Sequence, residues 1–245
     1  MKTLRCALLL LMALMAPSTS VQAQLYTGLT GLIHAPSAEM NAEGTARIGG
    51  YFLSSHFTPD QGFSYGGEKY NTAAFSVSVV PYSWVEVGYT FTLMKTLMGE
   101  KPKYNAKDRY FSVKLRPLKE GKYWPAVVVG ANDLIGSRGD EDGSLYFSNY
   151  YVAATKHVDV RGYRLGVHAA YRKYRRAYNA KWEGLVGGIT CQPAFAPNLR
   201  GIVEYDGDGV NVGVDCLLWR HLFLQGALQG GKHFSGGLCW QVNLF

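Results

Sequence analysis

The chain has 245 residues, enough for one large domain or two small ones with a sizeable core. It contains 29 glycines and 13% aromatic residues, but only 18% charged residues, and its mean hydropathy is −0.07. A helical membrane protein would be far more apolar and a disordered chain would lack the aromatics, so both are excluded in favour of an all-β protein rich in turns.

Met1 to Ala23 reads as a cleavable signal peptide. Lys2 and Arg5 form its charged start, Cys6 to Ala16 is almost wholly apolar, and Val21-Gln22-Ala23 supplies small residues before a mature start at Gln24. Cleavage lowers the formal net charge from +7 to +5 (23 cations against 18 acids) and leaves Cys191, Cys216 and Cys239. An odd count without any Cys-x-x-Cys pair is neither a complete disulfide framework nor a zinc set. These cysteines read as small apolar fillers with at most one bridge.

Residues 24–43 form a lead-in, and from residue 44 to 245 the chain alternates. Val85, Val87, Tyr89 and Phe91 interleave with Glu86, Gly88 and Thr90; Leu165, Val167 and Ala169 interleave with Gly166 and His168. Successive strand side chains point to opposite faces, so each such segment has one apolar and one polar face. Roughly twelve segments lie near residues 44–54, 70–80, 84–94, 107–117, 124–133, 145–157, 162–173, 183–192, 199–206, 208–217, 220–230 and 234–245. Most have the length of about ten residues that a tilted strand needs to cross a bilayer. Long connections (55–69, 95–106, 134–144, 174–182) alternate with short ones (81–83, near 119–121, 158–161, 193–198), although the last hairpin turns are all short. This pattern predicts a transmembrane antiparallel up-and-down β-barrel of the bacterial outer membrane, with both termini on the periplasmic side. The chain ends on Phe245, like the terminal aromatic of such barrels, although Phe245 has the parity of Asn243 rather than of Leu244.

The lead-in carries Gly28-Leu29-Thr30-Gly31-Leu32-Ile33-His34-Ala35-Pro36-Ser37-Ala38, followed by a glycine-containing strand. This G-L-x-G-L-I-x-x-P-x-A opening, with Gly28, Gly31 and Pro36 as its markers, resembles the YjbH-like family of outer-membrane proteins. The resemblance implies a role in exopolysaccharide or capsule production and export, here in a short, single-barrel version. Its partners would be outer-membrane lipid or lipopolysaccharide, exopolysaccharide, and other envelope polysaccharide-export proteins. The segment itself is amphipathic and turn-prone, able to cap a mouth, plug the lumen or simply lead into the first strand.

If the apolar parity faces lipid, the lumen receives Glu86, Lys114, Arg116, Arg164, His168, Arg172, Arg200, Glu204 and Asp215. Such side chains can fill a narrow barrel by satisfying one another, or line a pore with a slight anion bias. Lys173, Arg175 and Arg176 enter the fourth long loop beside Tyr174 and Tyr178, a composition suited to contacting a polyanion. Export argues against a nucleic-acid partner. His233-Phe234-Ser235 has the spacing of a barrel lipase pair but lacks its further context. Asp140-Glu141-Asp142-Gly143 lacks the distal ligand of a calcium loop. No cofactor, metal set or catalytic constellation is expected. The alternatives to a polysaccharide role are a general narrow porin or structural barrel and, less favoured, a barrel hydrolase acting on lipid or glycan.

Overall fold

The computed structural model describes residues 24–59, 69–98, 101–133 and 145–245. The expected leader, residues 1–23, and the Asp140–Gly143 run lie outside the described residues. The period-two segments form twelve antiparallel strands: β1 (Thr45–Leu53), β2 (Thr72–Tyr82), β3 (Val85–Met98), β4 (Lys101–Leu118), β5 (Ala126–Asn132), β6 (Asn149–Val160), β7 (Tyr163–Tyr174), β8 (Gly184–Pro193), β9 (Leu199–Tyr205), β10 (Val210–Leu218), β11 (Leu222–Gln229) and β12 (His233–Asn243). Each pairs with its neighbours in sequence, and β1 pairs with β12 from Thr45↔Asn243 to Phe52↔Gly236, which closes the barrel. Closure leaves no unpaired edge.

Hydrophobic parity sets the two faces. Val77, Val87, Val167, Ile189, Val203 and Leu238 point outward and stay exposed, while Glu86, Thr90, Lys114, His168 and Asp215 point inward and are buried. This inverts a water-soluble core. Exposed aromatics gather towards both ends of the outer wall: Tyr82, Trp84, Trp124, Tyr163 and Trp219 at the end carrying the tight turns, and Phe52, Tyr150, Tyr171, Tyr205 and Phe234 at the end carrying the long connections. Among the described residues, no helix is long and apolar enough to cross a membrane.

One connection differs from expectation. Residues 95–106 read as a loop, but β3 and β4 continue pairing from Lys95↔Tyr104 to Met98↔Lys101 beyond a register shift after Met94. Thr96 and Tyr104 favour extended backbone, and the continuing ladder satisfies N–H and C=O groups that a loop would leave to solvent. The Nζ of Lys95 lies 4.8 Å above the Tyr104 ring and helps to close this ribbon. At the chain end no bulge restores the phase of Phe245; β12 stops at Asn243, and Phe245 lies exposed beyond it.

Candidate functional site: a plugged lumen

Residues 24–41 are buried without exception, running through the barrel interior before Thr45 opens β1. The segment has little regular structure. Isolated bridges join Gln24 to Thr30 and Gly31 to Pro36, and Gly28 N–H donates to the Leu25 carbonyl at 2.9 Å. Gly28 holds φ +84°, and a Cβ there would lie 2.8 Å from the Ser76 Cβ, so both conformation and space call for glycine. A Cβ on Gly31 would come within 2.4 Å of the Leu25 side chain. Pro36 lies in the same tight stretch, as one partner of the bridge to Gly31. The family-like motif is therefore the plug itself.

A coil buried in this way carries polar backbone that must find partners. The wall supplies them from inward-facing charged side chains. Near the long-connection end, the Glu204 carboxylate accepts N–H bonds from Ile33 (2.9 Å), His34 (2.8 Å) and Ala35 (3.0 Å), and a fourth from Asn211 Nδ2 (3.0 Å). Arg172 donates to the carbonyls of His34 (2.7 Å), Trp182 (3.0 Å) and Asp206 (3.0 Å). On the β3–β4 wall, Glu86 accepts from both the N–H and the hydroxyl of Thr30 (2.9 and 2.8 Å). Lys114 donates to the Thr30 and Glu39 carbonyls and lies 3.6 Å from Glu86. Towards the turn end, Arg200 bridges Glu39 (2.8 Å) and Asp215 (2.7 Å), while Gln225 joins Asp215 (3.0 Å) to the Leu32 carbonyl (3.2 Å). A residual cavity between plug and wall, lined by Tyr26, His34, Pro36 and Arg172 among others, measures only about 10 Å³.

The long-connection end is sealed by aromatics. His34 stacks on Phe57 (4.4 Å, 22°) and meets Trp182 edge-on (4.7 Å, 71°), while Tyr26 packs against His34 and Phe147. Phe57, Phe147 and Trp182 come from the described parts of three different connections and lie against the plug. Burial, aided by the Arg172 charge, lowers the His34 imidazole to about 4 against the pull of Asp206, so the seal is neutral at pH 7. Burial alone would raise the Glu39 carboxyl, but Arg200 and the His157 hydrogen bond outweigh it and hold this group well below the ordinary carboxylate range.

Of the candidate lumen residues, Glu86, Lys114, His168, Arg172, Arg200, Glu204 and Asp215 all point inward and are at most 3% exposed. Six of these seven form the plug's clamps, while His168 bonds to Thr155 and Thr190 on neighbouring strands. Arg116 is half-buried at the turn end with its guanidinium on the Ser83 carbonyl, and Arg164 is exposed at the same rim opposite Asp159. Parity predicts a face but not a height along the barrel, so these two sit at the mouth rather than inside. Lys173 is exposed on the outer wall and pairs with Glu183; Arg175 is exposed and Arg176 half-buried. The structure does not gather them into a pocket. Ser235 faces inward and accepts the Ser54 N–H at 2.8 Å, while His233 is exposed and stacks on His56. Cys191, Cys216 and Cys239 are free.

Sequence reasoning missed Glu39, Glu120, His157, Phe57, Phe147 and Trp182. Glu39, Glu120, Phe57 and Trp182 lie in the lead-in or a connection, where period two carries no information; Phe147 and His157 lie at the two ends of the 145–157 segment with inward parity, which gives their face but not their partners.

The family model described as "Exopolysaccharide biosynthesis protein YbjH" matches residues 23–244, covering plug and barrel together. A search of curated proteins found no match.

Proposed function

The chain belongs to the YjbH family of exopolysaccharide biosynthesis proteins, and from that premise we propose that it is a non-enzymatic outer-membrane barrel serving polysaccharide export. The outward apolar belt, framed by aromatics towards both ends, has the layout of a membrane girdle and supports insertion. The tight-turn end and both termini would then face the periplasm, with the β3–β4 ribbon outside.

The single observation carrying the export reading is the filled lumen. The wall groups that clamp the plug, both donors and acceptors, suit the hydroxyls and carboxylates of a glycan once the plug withdraws. In this reading the plug acts as a gate, and the filled lumen argues against a constitutively open porin. Lipopolysaccharide and other envelope export proteins are the partners this role requires, and Lys173 and Arg175, exposed near the long-connection end, are the residues we expect to meet anionic headgroups. Deleting the gene is expected to lower extracellular polysaccharide yield, with complementation restoring it. An unchanged yield, or recovery of the protein in the soluble fraction, would refute the proposal.

A further inference from the structure

At the turn end of the lumen the plug meets two imidazoles. Glu39, His157 on β6 and His168 on β7 each offer one donor atom, all within 4.8 Å of one another; both His168 nitrogens lie 3.0 Å from a threonine hydroxyl (Thr155 and Thr190), so an ion takes the place of one of those bonds. The two rings are T-shaped, with centroids 5.9 Å apart at 83°.

Three features around this trio point to a ligand set. First, Glu120 accepts at His157 Nδ1 (2.7 Å), which fixes the ring so that Nε2 faces Glu39 Oε1 at 3.1 Å. A carboxylate on the far nitrogen is the usual outer-shell support of a metal-binding histidine. Second, Gly166 leaves room for both rings: a Cβ there would lie 2.4 Å from Thr190 Oγ1, 2.7 Å from His168 Nε2 and 3.1 Å from His157 Cδ2. Third, Arg200 Nη1 holds both oxygens of Glu39, at 2.9 Å from Oε1 and 2.8 Å from Oε2, so the Oε2 bond can fix the carboxylate while an ion displaces the Oε1 bond. The site is also reachable, because the His157 side chain is 16% exposed at the mouth.

We propose that Glu39, His157 and His168 bind a divalent first-row transition ion of the zinc class, which staples the plug to the barrel wall. Two imidazoles and one carboxylate form a borderline donor set suited to such ions and poorly suited to calcium or magnesium. The ion replaces the proton shared between His157 Nε2 and Glu39, and that proton leaves to solvent. Metal–ligand bonds of about 2.0–2.2 Å place tetrahedral donors roughly 3.3–3.6 Å apart, so the His157–Glu39 pair at 3.1 Å opens slightly while the wider pairs, within 4.8 Å, draw in. The plug side of the site can move with Glu39. Water completes the coordination, so the ion serves as a lock rather than a closed structural centre.

The test uses the full, untagged mature chain refolded in detergent and titrated with Co²⁺ and Zn²⁺. Expected are one Co²⁺ per chain with ligand-field absorption, displacement by Zn²⁺, and slower hydrogen exchange at Ala38 and Glu39 when the ion is bound. Glu120→Gln, a change to a positioning residue, should weaken binding roughly 10–100-fold. His157→Gln and His168→Gln should weaken it further, and His221→Gln, outside the site, should leave it unchanged. Failure of folded wild-type chain to take up one equivalent overturns the proposal without recourse to any variant. So does uptake that His157→Gln and His168→Gln leave unaltered. Either failure would leave the polysaccharide yield and the plug itself untouched, so it is distinguishable from failure of the export reading.

Discussion

Replacing Glu204 by glutamine tests the plug's principal anchor with minimal change of shape. Its two carboxylate oxygens accept from three consecutive backbone amides and from Asn211, all at 2.8–3.0 Å and all buried. Glutamine keeps one acceptor and turns a donor towards the others, so about two of the four donors lose their partner. Each buried orphan costs about 1–3 kcal/mol, and the lost bonds are charge-assisted. The docked plug should therefore weaken by roughly 3–6 kcal/mol, raising the undocked population by about 10²–10⁴-fold. In planar bilayers wild-type chain should stay mostly closed, whereas Glu204→Gln should show frequent open events of one-barrel size. Identical closed behaviour in both, with Glu204→Gln correctly inserted, would refute the view that this carboxylate holds a gate.

Acid should loosen the plug. Burial and Arg172 lower His34 to about 4 from the 6.5 of an exposed imidazole, so its contribution is present above pH 6.5 and is lost as pH falls through about 4. The loss approaches roughly 3 kcal/mol by pH 4. Glu39, also depressed, acts in the same direction below the ordinary carboxylate range. Denaturant melts from pH 7 to pH 4 should show this slope in wild type and a flatter one in His34→Gln; parallel slopes would count against the burial argument. Arg200→Met leaves Glu39 and Asp215 buried without their shared cation and should cost about 3–5 kcal/mol in equilibrium unfolding. A loss below 1 kcal/mol would mean that the two acids find other partners. Ile189→Arg, on the outer wall, should cost about 2–4 kcal/mol in liposome refolding if that wall meets lipid, against nearly nothing for an exposed residue in water.

Most of the wall is legible from alternation, because a strand with one apolar face and one polar face must repeat every second residue. Val85–Phe91 announces both its faces. The same logic places Glu86 and Lys114 inside. It fails for Arg164, whose height at the rim depends on where β7 begins rather than on parity. It fails again at residues 95–106, where lysines and a proline suggest a loop but the continuing ladder decides. The plug is hardest to foresee. Its fate rests on backbone amides at Ile33, His34 and Ala35, which every residue but proline carries and no pattern marks. Gly28 and Gly31 hint at close approach, yet not at what is approached. The partner, Glu204, lies far away in sequence and looks like any inward-facing acid.

The central claim is that residues 24–41 occupy the lumen, and hydrogen exchange tests it most directly. In chain refolded into detergent or nanodiscs, the amides of Ile33, His34 and Ala35 should exchange as slowly as those of the surrounding strands. Exchange at the rate of an unstructured peptide, in a barrel whose strands remain protected, would contradict it.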